Sequence, residues 1–143
     1  MKIAIAQADV PNLIGNVYTE EAISKMYEKA KDAIENGFFG GELIRDGFDR
    51  AYGEATDLSR ATHQITNVDI IDNFLVADVS FIGTKDGELA KNLVLTAAGV
   101  LRPTVLGRLD SITREIDIDN VISFDVIQYH EDFRLYVTWK QIK

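Results

Sequence analysis

Residues 62–82 read THQITNVDIIDNFLVADVSFI, and this stretch decides the fold because it is typical of two long strands joined by a two-residue turn. Asp72 and Asn73 tolerate the left-handed backbone that a tight hairpin turn requires. The apolar residues of the second strand alternate, as one shared face of a strand requires: Leu75, Ala77, Val79 and Phe81. The sequence therefore predicts a hairpin with strands at 62–71 and 74–82.

Further strands are predicted on both sides of this hairpin. Residues 1–7 form a short strand that carries Ile3 and Ile5, and the segment 38–44 is a second candidate. After the hairpin, four more strands are predicted at 100–109, 111–118, 121–128 and 132–142. The segments 10–16 and 46–60 are polar or interrupted by glycine, so they are predicted to be loops, the second with a helical turn.

The first of two predicted helices spans residues 20–35. Thr19 is suited to the N-cap, and the acidic residues that follow it suit the positive end of the helix dipole. Apolar residues recur at helical spacing: Ile23, Met26, Tyr27, Ala30, Ala33 and Ile34. Asn36 and Gly37 supply a C-terminal stop.

The second predicted helix runs through residues 86–99, with Leu89 and Leu93 facing inward and Gly99 ending it. Two helices among so many strands favour an α+β fold, in which a small, mostly antiparallel β-barrel is flanked by the helices. A doubly wound α/β fold would need more helices between its strands. We interpret residues 1–143 as a single domain of this kind.

Composition limits the chemistry that this domain can perform. The chain has 143 residues, no cysteine and a net charge of −8, and 46% of its residues are hydrophobic. Thiolate nucleophiles, disulfides and cysteine-bound zinc are therefore excluded, and His63 and His130 alone would leave a metal site dependent on carboxylates. We predict no cofactor and no metal. The negative charge argues against nucleic acid or an anionic membrane as a partner, and no apolar run is long enough to span a bilayer.

His63 lies in a predicted strand, where it faces either the core or a cleft. A histidine in a strand is more often a structural residue with its hydrogen bonds satisfied, and the alternative is that His63 is a general base. A hydrolase would place a hydroxyl within hydrogen-bond reach of its ring and a third group behind it. The candidate hydroxyls are those of Thr104, Ser80, Ser111 and Ser123, and spacing does not choose among them. The candidate orienting carboxylates are those of Asp57, Glu42, Asp69 and Asp78.

Several segments, taken in order, resemble one known family. The fragments are NLIGNVY at 12–18, FGGEL at 39–43, DLSRATHQITNV at 57–68, NFLVAD at 73–78, TKDGELAK at 84–91 and GVLRPTVLG at 99–107. Together they resemble the prohead (capsid maturation) proteases of tailed bacteriophages over about residues 12 to 127. That family is similar in fold to the herpesvirus assemblin proteases, so the resemblance implies a small β-barrel wrapped by helices.

The resemblance also implies roles for individual residues. A strand histidine is the general base of the family, and it corresponds to His63. The nucleophilic serine lies in a segment similar to Arg-Pro-Ser-Ser-Arg-Gly, which aligns with residues 102–107. This chain therefore has Thr104 or Val105 where serine is expected and Leu106 where arginine is expected. Threonine is a more restricted nucleophile, and the missing cation removes support for an oxyanion.

These departures favour a protease fold that has lost its protease activity. The leading hypothesis is a virion structural protein, an auxiliary or decoration protein of a tailed-phage capsid that is made in the host cytoplasm. Its partners would be the major capsid protein or other head proteins, with self-association a further possibility. The alternative is an active prohead maturation endopeptidase that cleaves scaffold and capsid proteins with Thr104 and His63. A second alternative is an unrelated soluble binding domain, since fold resemblance does not fix function.

Three other features have structural interpretations. Gly37, Gly40 and Gly41 are not followed by the Lys and Ser or Thr of a phosphate loop, so they are predicted to serve turns or close packing. The acidic residues alternate with isoleucines and are predicted to form the solvated face of a strand: Asp110, Glu115, Asp117 and Asp119. Trp139 is predicted to be a core or edge residue.

Overall fold

A computed structural model describes residues 1–11, 15–44, 56–96, 98–128 and 141–142. Within these residues the fold is α+β, as predicted. The strands are β1 Lys2–Gln7, β2 Val17–Tyr18, β3 Gly40–Ile44, β4 Ala61–Ile71, β5 Phe74–Phe81, β6 Gly99–Leu109, β7 Glu115–Gln128 and β8 Gln141–Ile142. The helices are α1 Glu20–Glu35 and α2 Lys85–Leu95.

The strands form one sheet in the order β2-β7-β3-β4-β5-β1-β8, and β6 pairs with β7 outside this path. The pairings are antiparallel except where β7 lies beside β2 and β3. Strand β1 also contacts β6, so the sheet curls round until it is nearly closed and barrel-like. The prediction of a mostly antiparallel, barrel-like sheet with two flanking helices is confirmed at this level.

The β4–β5 hairpin is confirmed. Asp72 and Asn73 both have positive φ, at 49° and 68°, which is the backbone of a type I′ turn. The strands pair from Ile71 opposite Phe74 back to His63 opposite Phe81, with a register shift near Thr66. This hairpin brings His63 to the far end of β4 from the turn.

Helix α1 is also confirmed at both ends. The Thr19 hydroxyl accepts a hydrogen bond from the Ala22 N–H at 3.1 Å, and Asn36 caps the other end. Gly37 follows with a φ of 148°, in the region that favours glycine. The buried residues of the helix are Ala22, Ile23, Met26 and Ala30.

Helix α2 differs from the prediction in its end and in its orientation. It ends at Leu95 with Thr96 as the C-cap, and Gly99 instead begins β6. Leu89 is 40% exposed, so its predicted inward position is wrong. The buried residues are the small ones, Gly87, Ala90 and Val94. A Cβ on Gly87 would lie 1.9 Å from the Ile82 carbonyl oxygen, so the chain that leads into the helix requires glycine at this position.

Strand β7 is one strand of 14 residues where two were predicted. The predicted strand at 111–118 begins only at Glu115, because residues 111–113 form a turn. The predicted break near Asp119 is wrong, since β7 passes this point with a register shift against β6. A β-bulge lets a strand carry an extra residue without ending. The acidic residues Glu115, Asp117 and Asp119 are exposed, as expected of a solvated face.

Several sequence predictions fall on residues that the structure does not describe. Of the strand predicted at 132–142, only Gln141 and Ile142 are described, and they pair with β1. Trp139 and His130 lie outside the described residues, as do most of the loop predicted at 46–60 and part of that at 10–16. Neither described helix is long and apolar enough to cross a membrane.

The core lies between the curled sheet and the two helices. It joins β1, β4, β5 and β7 to α1 and α2 in one hydrophobic cluster. Phe124 of β7 is fully buried at its centre and meets the Phe39 ring edge to face, with ring centroids 5.2 Å apart. Polar residues interrupt this core where β3, β4, β6 and β7 adjoin.

Candidate functional site

His63 owes its position to a β-bulge at the start of β4. Gly41 pairs with His63 but Glu42 pairs with Ala61, which leaves Thr62 as the extra residue. A bulge interrupts the strict alternation of side chains between the two faces. Thr62 and His63 are accordingly both buried, at 1% and 0% exposure. The predicted general base therefore lies inside the fold.

Both ring nitrogens of His63 have partners within the fold. Nε2 lies 2.5 Å from the Phe124 carbonyl oxygen, and because a carbonyl only accepts, Nε2 carries a hydrogen and donates it. Nδ1 lies 2.9 Å from the Thr62 hydroxyl oxygen. The ring also lies against Phe81, with centroids 5.8 Å apart. The two neighbours thus orient the imidazole through its nitrogens.

Two glycines allow the strands around His63 to approach closely. A Cβ on Gly40 would lie 2.1 Å from the His63 carbonyl oxygen. A Cβ on Gly41 would lie 2.0 Å from the Phe124 carbonyl oxygen and 2.8 Å from Asp125 Oδ1. No other residue type fits at these distances without movement of the backbone. The predicted close-packing role of this pair is confirmed.

Thr104, the predicted nucleophile, lies half-buried on β6 opposite Ser123 of β7. Its hydroxyl donates to Asp125 Oδ2 at 2.5 Å. The Ser123 hydroxyl donates to the same oxygen at 2.9 Å, and the Glu42 N–H donates to Asp125 Oδ1 at 2.9 Å. Asp125 is 0% exposed, so these three donors replace the water that its carboxylate would otherwise bind.

Glu42 extends this polar cluster toward the surface. Its side chain is 5% exposed, and Oε1 lies 3.2 Å from Arg60 Nε, whose side chain is 70% exposed. The Asp57 N–H donates to the other carboxylate oxygen at 3.3 Å. The Ser59 hydroxyl and then the Ser59 N–H bond to the Asp57 carboxylate and hold the pKa of Asp57 below its usual value. Glu42 thus links a buried carboxylate to an exposed cation.

The structure brings together some of the predicted site residues and separates others. Thr104, Ser123 and Glu42 converge on Asp125, whereas His63 bonds to Thr62 and to the backbone of Phe124. The remaining candidates lie away from this cluster at exposed or half-buried positions: Ser80, Ser111, Asp69 and Asp78. Asp57 bonds to Glu42 through its backbone N–H.

Asp125 is the residue that sequence reasoning missed. The sequence carries a signal for it, since Asp125 stands alone among apolar residues in the segment 124–127, which reads Phe-Asp-Val-Ile. A single carboxylate in a buried strand requires donors around it. The carboxylates predicted from the sequence were expected to orient a histidine, whereas Asp125 accepts from hydroxyls and a backbone N–H.

The segment aligned with the family's nucleophile motif lies along β6. Thr104, Val105 and Leu106 are half-buried there, and Leu106 pairs with Asn120. A Cβ on Gly107 would lie 2.1 Å from the Asp117 carbonyl oxygen, so glycine is needed for strand packing at this point. No protein-family model, curated protein or solved structure matched the chain.

The chemistry open to this site follows from its hydrogen bonds. A nucleophilic hydroxyl needs a base that takes its proton and an approach for the substrate carbonyl. The Thr104 hydroxyl points its hydrogen at Asp125, and the His63 ring is enclosed. In the part of the chain that is described, no three His, Asp or Glu residues are grouped to hold a metal ion. The arrangement is a mostly buried polar cluster, in which groups from β3, β6 and β7 bond to the Asp125 carboxylate.

Proposed function

We propose that this chain is a virion structural protein, an auxiliary or decoration protein of a tailed-phage capsid. In this proposal it uses a prohead-protease fold whose catalytic machinery has become structural. Two observations of different kinds support this function. The family resemblance supports the capsid setting, and the hydrogen bonding of His63 and Thr104 supports the loss of catalysis.

The observation that carries the proposal is the pairing of the two predicted catalytic residues with other groups. His63 is 0% exposed and donates from Nε2 to the Phe124 carbonyl. A general base must offer a lone pair within about 3 Å of the proton that it removes. For Nε2 to act as this base, the bond to Phe124 would have to break inside the closed core.

Thr104 is likewise not paired with the predicted base, because its hydroxyl donates to the Asp125 carboxylate and not to His63. Its hydroxyl belongs to the Asp125 cluster, together with Ser123. Leu106, the residue aligned with the family's arginine, offers no positive charge to an oxyanion. Loss of one such interaction lowers a rate by about 10²- to 10³-fold. These features support a binding role over the alternative of an active endopeptidase.

The net charge of −8 is compatible with a place on the capsid away from packaged DNA. A compact barrel has a fixed surface, so it binds a shell without the ordering cost that a flexible chain would incur.

The experiment that tests the proposal is quantitative mass spectrometry of purified mature particles from the source virus. We expect a full-length chain in a fixed ratio to the major capsid protein. A trace or fragmented chain beside a trimmed capsid protein would instead support the endopeptidase. Absence from every particle would support the unrelated binding domain.

A variant experiment separates binding from catalysis. Thr104→Val removes the hydroxyl at nearly constant volume, and Val105→Thr serves as a control at the neighbouring position. We expect Thr104→Val particles to contain a normally processed capsid protein and a normal amount of this chain. Loss of capsid protein processing in Thr104→Val alone would overturn the proposal.

A further inference from the structure

The link between α1 and β3 begins with an asparagine that is followed by a glycine. Asn36 is the C-cap of α1, and both Asn36 and Gly37 are exposed. The backbone nitrogen of a residue can attack the side-chain amide carbon of an asparagine that precedes it, and a side chain on the attacking residue hinders this reaction. Gly37 has no side chain. The nitrogen that follows Asn36 is therefore sterically open to the reaction.

The hydrogen bonds of this link do not hold the nitrogen of Gly37. The Asn36 N–H bonds to the Asp32 carbonyl oxygen at 3.0 Å, and Asn36 Nδ2 bonds to the same oxygen at 2.8 Å at an exposed position. Among the described residues, no group accepts a hydrogen bond from the Gly37 N–H. Gly37 has a φ of 148°, well beyond the left-handed value of about 57° at which a C-terminal glycine bonds back to its helix. The nitrogen can therefore react before any helical or strand hydrogen bond of its own is broken.

We propose that Asn36 is a site of spontaneous deamidation. The Gly37 nitrogen attacks Asn36 Cγ and forms a succinimide ring, and the side-chain amide nitrogen leaves as ammonia with the proton that Gly37 has lost. Water then adds to one of the two ring carbonyls and opens the ring. One opening gives aspartate, and the other gives isoaspartate, in which the main chain passes through the side chain of residue 36. Water is the only co-reactant that these steps need.

The other asparagines that the structure describes do not share this arrangement. Each is followed by a branched or aromatic residue: Asn16, Asn67, Asn73, Asn92 and Asn120. Asn73 is the nearest match to Asn36, because it is also exposed and has a positive φ at a turn. The residue after it, Phe74, is half-buried and pairs with Ile71 in the β4–β5 hairpin. Asn73 therefore serves as an internal control within the same molecule.

Deamidation at this link would act on both elements that it joins. A carboxylate at position 36 would lie at the C-terminal end of α1, where the helix dipole disfavours negative charge. Isoaspartate would also lengthen the main chain just before Gly40 and Gly41. These glycines lie in tight contact with neighbouring strands, since a Cβ on either would lie 2.1 or 2.0 Å from a backbone oxygen. A strand held this closely has little room for a longer link, so the modified chain should be less stable.

The test is incubation of the purified full chain in warm, mildly alkaline buffer, which favours removal of the proton from the attacking nitrogen. Mass spectrometry of the proteolytic peptides at successive times locates each converted asparagine, and fragmentation distinguishes aspartate from isoaspartate. We expect Asn36 to convert at least about 10-fold faster than Asn73, which corresponds to a barrier lower by about 1.4 kcal/mol. Equal rates at the two positions, or an Asn36 that stays intact, would overturn the proposal.

A variant links the modification to stability. Asn36→Gln keeps a side-chain amide at the C-cap, but ring closure from glutamine requires a larger ring and is slower. Urea denaturation of incubated samples should show a lower midpoint for the natural chain and an unchanged midpoint for Asn36→Gln. A fresh Asn36→Asp sample should reproduce the part of the loss that comes from the charge. An equal loss in incubated Asn36→Gln would show that another residue causes the ageing, and it would overturn the assignment to Asn36.

Discussion

The two halves of β7 treat their carboxylates in opposite ways. In the first half, Asp117 is exposed and bonds to Lys25 of α1 at 2.9 Å. In the second half, Asp125 is 0% exposed and accepts from two hydroxyls and one backbone N–H. One strand thus carries both a solvated acidic face and a buried acidic cluster. The difference indicates that the contribution of a carboxylate to stability depends on its surroundings more than on its charge.

Removal of Asp125 should give the largest effect. Asp125→Ala leaves Thr104, Ser123 and the Glu42 N–H without their acceptor in the core, and each such loss costs about 1 to 3 kcal/mol. We expect the free energy of unfolding to fall by roughly 3 kcal/mol or more. Urea denaturation followed by circular dichroism measures it. Asp117→Ala is the matched control on the same strand, and an equal loss there would contradict the comparison.

The close approach of β3 to β7 provides the next test. Gly41→Ala places a Cβ 2.0 Å from the Phe124 carbonyl oxygen, so the strands must separate and strain the bonds to Asp125. Overpacking of this kind costs about 1 to 3 kcal/mol. Gly83→Ala is the control, because a Cβ there meets nothing within 4 Å. Similar unfolding midpoints for the two variants would show that the β3–β7 contact is not tight.

A smaller effect is expected from Thr104→Val. The Asp125 carboxylate keeps the Ser123 hydroxyl and the Glu42 N–H, and it loses one donor. We expect a decrease of about 1 to 2 kcal/mol in the free energy of unfolding. Thr104→Ser, which retains the hydroxyl, should recover most of this loss. If Thr104→Ser is as destabilised as Thr104→Val, the γ-methyl that serine lacks contributes about as much to stability as the hydroxyl that valine lacks.

Local sequence signals predicted the parts of the fold that depend on interactions between residues close together in the chain. The Asp72-Asn73 turn and the Thr19 cap were predicted because each acts within a few residues of itself. In helix α2 the inward prediction was right for Leu93, which is partly buried against the core, and wrong for Leu89, which is 40% exposed. The buried residues of this helix are Gly87, Ala90 and Val94. Hydrophobicity ranks leucine above glycine and alanine, so it does not identify small residues as the buried ones.

The candidate site depends on contacts between residues that are far apart in the sequence, and for this reason Asp125 was missed. Thr104 and Asp125 are 21 residues apart and meet only because β6 and β7 pair in one register. His63 meets Phe124 across 61 residues. The identity of His63 and Thr104 as polar residues in strands was readable from the sequence. Their partners depended on strand order, which the sequence did not reveal.

The smallest effect on stability is expected from substitution of Asp117. The dependence of this effect on pH tests whether it comes from the ion pair with Lys25. The Lys25 ammonium donates a hydrogen bond to the Asp117 carboxylate and holds the pKa of this carboxyl below its ordinary value of 3.8. The same hydrogen bond raises the pKa of Lys25 above its ordinary value of 10.5. The stabilisation from the carboxylate is lost as the pH falls through its lowered pKa. The stabilisation from the ammonium is lost as the pH rises through its raised pKa.

At neutral pH the Tm of the natural chain should therefore be slightly higher than that of Asp117→Asn. This difference should vanish when the pH is below the pKa of Asp117 or above the pKa of Lys25. Thermal melts of the two proteins across this pH range measure it. The effect should be the smallest of the four, because both groups are exposed and water and salt screen their attraction. A Tm difference that persists below the carboxyl pKa would assign Asp117 a packing role. In that case the contrast between the two halves of β7 would arise from shape rather than from charge.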